Sequence, residues 1–337
     1  MNSAPVAPNG LRPLVSVRYL GSILGLPPAT LRHIARHADR YYHSFLINRP
    51  GRSKPREIDP AWGILEKIQD RIKRRILDRF KFPGFVHGGV RGRSTTSNAR
   101  PHVGQPKVVK ADIHSFYGTA TAGAVARAWK EHFGCGRETT WLLTRLTTYK
   151  GHLPQGTHTS PDLANLVILP AAERICAAAQ DRGLGFTIFV DDITVSGADA
   201  ELMIDFIARE IGRLGFSLSR KKTQVMPRGA LQVVTGNAVN RKISNGAAKV
   251  RSFRRELLKI FRTGDSHARA RLNGKVAHAT SVCPSQGRSL RRLLASLARD
   301  SAEPTMNING ANQIRAAHSA VSGPMFPAGS AGLSRQT

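Results

Sequence analysis

Three acidic residues are the first candidates for chemistry: Asp112, in the run KVVKADIHSFYG, and the adjacent pair Asp191-Asp192 inside GFTIFVDDITVSG. Carboxylates are hard oxygen ligands, and magnesium takes only a few of them, filling its other positions with water and substrate phosphates. Two or three aspartates converging at strand ends therefore suffice for a pair of ions about 3.5 to 4 Å apart. Such a pair activates an attacking hydroxyl and holds a leaving pyrophosphate during phosphoryl transfer. A plainer account competes, because aspartate suits turn positions and Asp-Asp turns are common. The neighbours weigh against it: Ile188, Phe189, Val190, Ile193 and Val195 flank the pair, and adjacent acids among apolar residues are costly unless a cation neutralises them.

The elements that must position these acids are legible in outline. KVVKAD alternates toward a strand ending at Asp112, and Phe186 to Val190 with Ile193 to Ser196 predicts a strand, a tight acidic turn and a second strand. Met203, Phe206, Ile207, Ile211 and Leu214 recur at three and four residues, so a helix packs behind that hairpin and stops at Gly215. A long helical stretch is expected from Ala122 to about Tyr149. Upstream, Leu20, Ile23 and Leu24, then Leu31, Ile34, Ala35 and Ala38, predict two short helices broken at Pro27-Pro28. Residues 48 to 60, NRPGRSKPREIDP, read as a mobile hairpin between Phe45 and Trp62. Ile64, Leu65, Ile68, Ile72, Ile76 and Leu77 mark an amphipathic helix whose basic face, Lys67, Arg71, Lys73, Arg74 and Arg75, needs no more than solvent. A Gly-rich loop spans Gly84 to Gly92. Beyond Asn240, Val250, Phe253, Leu257, Leu258 and Phe261, then Leu290, Leu293, Leu294 and Leu297, predict a small basic helical module. From Ala302 the composition turns to Ala, Gly, Ser, Asn and Pro, and a poorly ordered tail is expected.

Composition narrows the partners. Lys and Arg number 51 against 22 Asp and Glu, a formal charge of +29 over 337 residues. A polyanion is the natural partner of so much distributed positive charge, although basic ribosomal or capsid-like proteins share this composition. No stretch approaches 18 uninterrupted apolar residues, which excludes a spanning helix, and no membrane partner is expected. Cys135, Cys176 and Cys283 are scattered and form no C-x-x-C spacing, so reduced buried thiols are expected rather than a disulfide framework or zinc ribbon. Met1 to Gly10 lacks the apolar run of a secretory signal, which gives a cytoplasmic expectation.

Several motifs then match one family in order. Phe189-Val190-Asp191-Asp192 resembles the [YF]-x-D-D signature of reverse transcriptases, and Asp112 to Tyr117 resembles their first catalytic strand. Between them, Leu153-Pro154-Gln155-Gly156 with Ser160-Pro161 and Asn165 resembles the family's L-P-Q-G-x-x-x-S-P-x-x-x-N segment. Lys54 to Ile58, Gly84-Phe85 with Gly92-Arg93-Ser94, and Gly215-Phe216 with Lys221-Lys222-Thr223 resemble the flanking segments, covering residues 45 to 240. Two elements are similar to the retron branch: Asn98-Ala99-Arg100-Pro101-His102, like its N-A-x-x-H, and Val234-Thr235-Gly236, like its V-T-G. Leu272-Asn273-Gly274-Lys275-Val276 resembles a thumb segment. The sequence departs from the commonest pattern at Phe189, where Tyr is more usual, and at Pro101, where a small residue is typical.

The resemblance implies an α/β (α+β) right-hand polymerase fold. Its parts would be an N-terminal helical extension (1–47), fingers (48–111 with parts of 118–150), a palm with an antiparallel sheet flanked by helices (112–240), and a helical thumb (241–301), before the tail (302–337). It implies two Mg2+ ions, with Mn2+ as an alternative, held by Asp112, Asp191 and Asp192 with Ile113 beside them. Lys54, Arg56 and Arg93 would meet the triphosphate, for which guanidinium bonds are suited, though each is equally readable as a surface charge. Phe116, Tyr117, Gln155 and Gly156 would line the nucleotide site. Tyr117 would stack under the sugar, with a packed strand aromatic as the alternative, and Gly156 would allow close backbone approach or serve an ordinary turn. Lys222, with Lys221 as rival, would protonate the leaving pyrophosphate. Asn98, His102, Val234, Thr235 and Gly236 would contact a structured cognate RNA, and the basic thumb would grip an A-form duplex by its phosphates.

The implied activity is RNA-directed DNA synthesis by a retron enzyme, copying its own noncoding RNA into a short single-stranded DNA joined to that RNA. Deoxynucleoside triphosphates, the RNA, the RNA–DNA product and an effector protein are the implied partners, and defence against phage the implied service. The rivals are a group II intron-like reverse transcriptase, for which the 97 residues after Asn240 leave little room, and a nonenzymatic RNA-binding protein on the same fold, against which the three intact aspartates count.

Overall fold

The computed structural model describes residues 11–48, 55–263 and 266–300. The expectations placed on Lys54, on the first ten residues, on the hairpin tip and on the tail from 302 lie outside these.

The chain opens with α1 (Val17–Leu24) and α2 (Pro28–Arg36). Ser16 caps the first by accepting the Tyr19 amide, and Gly25 ends it with a left-handed φ of 64°. The break between the two helices falls at the prolines as expected: Pro27 precedes α2, and Pro28 begins it at its first turn, where a missing N–H costs nothing. β1 (Phe45–Ile47) and β2 (Arg56–Ile58) pair antiparallel as the expected hairpin, and α3 (Gly63–Arg75) follows. The basic face of α3 is not simply solvated. Arg71 donates to the carbonyls of Leu24 and Gly25, and Arg75 to that of Ile23, so two guanidinium groups satisfy the C-terminal carbonyls of α1.

α4 (Thr95–Ala99) leads to β3 (Lys107–Asp112), α5 (Phe116–Thr119), α6 (Ala122–Phe133) and α7 (Arg137–Thr147). The single helix expected over 122–149 is thus two. Gly134 leaves α6 at φ 59°, and Gly136 lies so close to the N-terminal segment that a Cβ there would stand 2.8 Å from the Val15 carbonyl oxygen. α8 (Ser160–Gln180) has no counterpart in the sequence reading. It is buried on nearly every side, so it shows no one-faced stripe for periodicity to find.

β4 (Gly185–Phe189) and β5 (Asp192–Ser196) form the acidic hairpin, α9 (Ile204–Arg213) follows, and β6 (Gln224–Pro227) completes an antiparallel sheet in the order β4-β5-β3-β6. α9 packs on α8, which lies against β4. Gly215, at φ 85°, lies just beyond α9, close to where the sequence placed the stop. β7 (Val233–Val234) and β8 (Asn237–Ala238) make a small hairpin, and α10 (Ala247–Thr263), α11 (Ser266–Val282) and α12 (Pro284–Asp300) close the described chain. One apolar core runs from Leu11 to Phe216, while Leu257, Ile260, Leu272, Val276, Ala279 and Leu290 form a separate core within the last three helices. Cys135, Cys176 and Cys283 are buried free thiols. Among the described residues no helix is long and apolar enough to cross a membrane.

Candidate active site

Register brings the acids together. β3 and β5 pair so that Asp112 faces Asp192, and β4 and β5 pair so that Phe189 faces Asp192. The turn is therefore Val190-Asp191, and Asp192 is the first residue of β5 rather than half of the turn. Val190 holds a φ of 58°, a backbone conformation costly for a β-branched residue and found where the surroundings impose it. The Ile113 amide donates to the Asp191 carbonyl at 3.0 Å, and the Ser219 amide to the Asp112 carbonyl at 2.7 Å. These bonds tie the turn and the segment after α9 to the end of β3. Ser115, three residues past Asp112, is also left-handed, at φ 47°.

The electrostatics are those of anions gathered in a basic protein. Asp112 Oδ1 accepts from Lys222 Nζ at 2.6 Å, and Asp192 Oδ2 from Lys110 Nζ at 3.0 Å. Burial raises the Asp191 carboxyl above the usual carboxylate range, and the charge of Asp112 raises it further. Asp192 is likewise raised by burial, with Lys110 opposing. Asp192 Oδ1 is buried without a hydrogen-bond partner. As placed, no three acidic, thiol or imidazole side chains among the described residues form a closed metal cage; Asp112 leans on Lys222 and Asp192 on Lys110. The donor set still suits a hard divalent ion: three crowded carboxylates, two of them (Asp191 and Asp192) with raised pKa values, and one orphaned oxygen gain from a cation that neutralises them.

These groups open into a cavity of about 690 Å³, lined also by Arg56, Glu57, Ile113, Phe116, Tyr117, Gln155, Lys221 and Gln224. Arg56 bonds the Gln155 side chain, and the Asp59 amide donates to the Gln155 carbonyl at 2.8 Å, joining the β1–β2 hairpin to the Leu153–Gly156 segment. Gly156 has φ 98°, and a Cβ there would meet Ile58 Cγ2 at 2.7 Å, so the close approach its position implied is toward Ile58. Phe116 is buried against Phe216. Tyr117 borders the cavity, its hydroxyl pushed up to about 12 by burial and then by Asp191. Lys221 and Lys222 both reach the cavity, and Lys222 makes the contact to Asp112. Lys110 was overlooked in the sequence, although a residue two positions before Asp112 in a strand shares its face.

Several expected contacts are not at this cavity. Arg93 is turned inward, its guanidinium donating to the carbonyls of Phe82, Pro83 and Val86, so it organises the Gly-rich loop rather than facing the triphosphate. Asn98 and His102 are fully buried, which removes them from direct contact with RNA. His102 bridges Ser196 Oγ at 2.7 Å and Thr187 Oγ1 at 2.8 Å, and burial pushes its pKa down to about 4. Val234 is buried too, and Thr235-Gly236 form the two-residue turn between β7 and β8, both with positive φ (46° and 80°) as a hairpin of this kind requires. Thr235 Oγ1 and Asn237 Nδ2 each donate to the Thr95 carbonyl at 3.0 Å, docking the hairpin on α4.

A four-stranded antiparallel sheet backed by helices, with carboxylates at one strand end in a cleft shared with four basic side chains, is the arrangement of a nucleotidyl-transferring polymerase fold. Residues 62–250 match the family described as reverse transcriptase (RNA-dependent DNA polymerase). The chain is 30% identical over 275 residues to the retron Ec86 reverse transcriptase of Escherichia coli, covering 80% of this chain and 84% of that one. It is 30% identical over 318 residues to the retron Mx65 reverse transcriptase of Myxococcus xanthus, covering 86% and 74%, and 25% identical over 304 residues to the retron Se72 reverse transcriptase of Salmonella heidelberg. The chain belongs to the retron-type reverse transcriptases and is an RNA-directed DNA polymerase. Such an enzyme takes an RNA template and deoxynucleoside triphosphates, and the family generally uses divalent metal ions.

Proposed function

We propose that this polymerase copies part of a structured noncoding RNA into a short single-stranded DNA that stays joined to the RNA, with Asp112, Asp191 and Asp192 as its catalytic carboxylates. The observation that carries the site is the register of β3 against β5, which sets Asp112 opposite Asp192 in a cleft that also holds Arg56, Lys110, Lys221 and Lys222. The three carboxylates and the Ile113 backbone would hold two divalent ions, which supply a stronger nucleophile at the primer hydroxyl and charge neutralisation at the pyrophosphate. Arg56 and Lys221, beside Gln155, offer the incoming triphosphate its cationic wall. Tyr117 and Phe116 form the floor against which the sugar rests, Tyr117 remaining a neutral phenol. Lys222 gives the departing pyrophosphate a proton donor close to Asp112.

In this reading residues 48–111 with parts of 118–150 serve as fingers, 112–240 as palm and 241–301 as thumb. The last three helices carry the excess of Lys and Arg that a duplex backbone requires. Asn98, His102 and Val234 act behind the RNA-facing surface, setting the shape of α4 and of the Thr235-Gly236 turn, and only Thr235 and Gly236 reach the surface. Defence against phage, through an effector protein, goes with the same proposal.

The test is co-expression of the chain with its flanking genomic DNA, followed by isolation of small nucleic acids and digestion with RNase and DNase. A DNA species whose mobility changes with both enzymes, and which is lost in the Asp191→Ala, Asp192→Ala double variant, is the expected result. A product that persists in the double variant rejects the site. A DNA product carrying no RNA rejects the joined product, and equal phage plating with and without the locus rejects the defence role.

A further inference from the structure

The turn that carries Asp191 is held in a backbone conformation its own sequence does not favour, and the residues enforcing it lie outside the cleft. Along the outer edge of β4, the Ile188 amide donates to the Phe85 carbonyl and the His87 amide to the Ile188 carbonyl, both at 2.8 Å. The Gly-rich loop thus runs beside the last turn-ward residues of the strand. Its next residue, Gly88, is pressed against the turn: a Cβ there would stand 2.5 Å from Val190 Cγ2, 2.6 Å from the Val190 amide nitrogen and 2.9 Å from the Phe189 carbonyl carbon. Two of those three atoms are backbone, so no rotamer change would make room. Asn165 Nδ2 donates to the Gly88 carbonyl at 2.7 Å, and Asn165 is buried within α8. The neighbouring Gly89 lies against Pro161 of the same helix, where a Cβ would stand 2.6 Å from the proline Cβ.

We propose that Gly88 and Asn165 form a brace between α8 and the Val190-Asp191 turn, which makes Asn165 a positioning residue for the catalytic carboxylate of Asp191. Asn165 and Gly88 do not line the cleft. The brace acts through contact alone: α8 holds the Gly88 carbonyl, Gly88 packs against Val190, and Val190 keeps its left-handed φ so that Asp191 stays beside Asp112. It gives the S-P-x-x-x-N segment a purpose distinct from lining the nucleotide site. The inference rests on the reading of Asp191 as a metal-holding carboxylate.

The full chain on a primed RNA template tests it, with kcat and dNTP KM measured for Asn165→Ala, Asn165→Asp and Gly88→Ala. Displacement of a reacting group by about 1 Å costs about 100-fold in rate. Gly88→Ala is therefore expected to lose about 100-fold in kcat and Asn165→Ala about tenfold, with KM and RNA affinity within about threefold of the parent. Asn165→Asp separates positioning from bulk stability, because a buried carboxyl is driven to its protonated form, in which it donates to the Gly88 carbonyl. Its rate relative to the parent should exceed that of Asn165→Ala and rise as pH falls. Titration with Mn2+ without RNA, followed by electron paramagnetic resonance, should show weaker ion binding in Gly88→Ala and Asn165→Ala. Leu142→Ala, in the core of α7, supplies a variant with lowered thermal stability only.

The brace is overturned if Asn165→Ala keeps the parental kcat and Mn2+ affinity. It is equally overturned if its loss merely matches that of Leu142→Ala at the same fall in Tm. If Gly88→Ala does not fold, the two Asn165 variants decide. An active Asp191→Asn variant would instead reject the assignment of Asp191, whatever the brace variants do.

Discussion

One face of the palm sheet carries two different chemistries at its two ends. At one end Asp112 of β3 and Asp192 of β5 face each other beside Asp191, open to the cleft and paired with Lys222 and Lys110. Four residues along β5, on the same face, Ser196 meets His102, which also bonds Thr187 of β4. Here the sheet is sealed by Ala99, Val108, Met226, Val234 and Val239. The same strands therefore present charged oxygens where solvent and substrate enter, and hydroxyl groups closed by a neutral imidazole where they do not. Burial explains the contrast: an ion needs a partner or water, whereas a neutral donor–acceptor pair is satisfied internally.

The largest effect should come from the open end. Asp191→Asn is expected to reduce DNA synthesis to background while leaving RNA affinity unchanged. Its thermal stability should hold or rise. Because burial and Asp112 raise the folded-state pKa of Asp191, its contribution to stability is present below the unfolded value and lost as pH rises through the folded one. The ionised group is therefore a net cost at neutral pH. Primer extension and a melting curve on the same preparation check both halves; a Tm well below the parent's would mean that Asp191 is structural.

At the sealed end the expectation is reversed. His102→Ala leaves Ser196 Oγ without its buried partner and opens a cavity, which should cost about 2 to 4 kcal/mol in urea denaturation. RNA affinity per folded molecule should not change. If affinity falls while stability holds, His102 meets RNA in some other arrangement of α4, and the contrast between the two ends fails.

Titration sharpens the same comparison. Burial pushes the pKa of His102 and of His87 down to about 4 from an ordinary value near 6.5. The unfolded chain therefore binds protons first as pH falls, and stability should drop between pH 6.5 and about 4. The slope should be shallower in His102→Gln. Asp191 and Asp192 act in the opposite sense, so the Asp191→Asn variant should show a steeper acid loss than the parent. Unfolding midpoints across that range measure both.

Much of the open end was legible in the sequence, because its chemistry depends on residue type at strand ends: Asp112, the Asp191-Asp192 hairpin and the order of the surrounding motifs all lie where alternation and spacing put them. The sealed end was not, because a short motif such as Asn98 to His102 looks alike whether it meets a ligand or fills a core. Arg93 misled for the same reason; the sequence displays its charge but not the three carbonyls that enclose it. α8 escaped because burial on nearly every side blurs periodicity, and the division of α6 from α7 because it depends on a distant segment crossing at Gly136. The exchange between Val190-Asp191 and Asp191-Asp192 as the turn is a difference of one residue in register, which only the pairing of β4 with β5 decides.

The smallest effect expected is also the finest test of what the Val234-Thr235-Gly236 element does. Thr235 supplies one of two donors to the Thr95 carbonyl, the other being Asn237. Thr235→Ala removes one and leaves the acceptor satisfied, so the loss should be about 0.5 to 1.5 kcal/mol. Thr235→Gly loses the same bond but relieves a φ of 46° that glycine adopts without strain, and should lose less. That ordering, glycine above alanine in denaturation midpoint with polymerase rate unchanged in both, is what a docking hairpin demands. A direct RNA contact through the threonine hydroxyl predicts instead that both variants lose RNA affinity equally and that stability does not separate them.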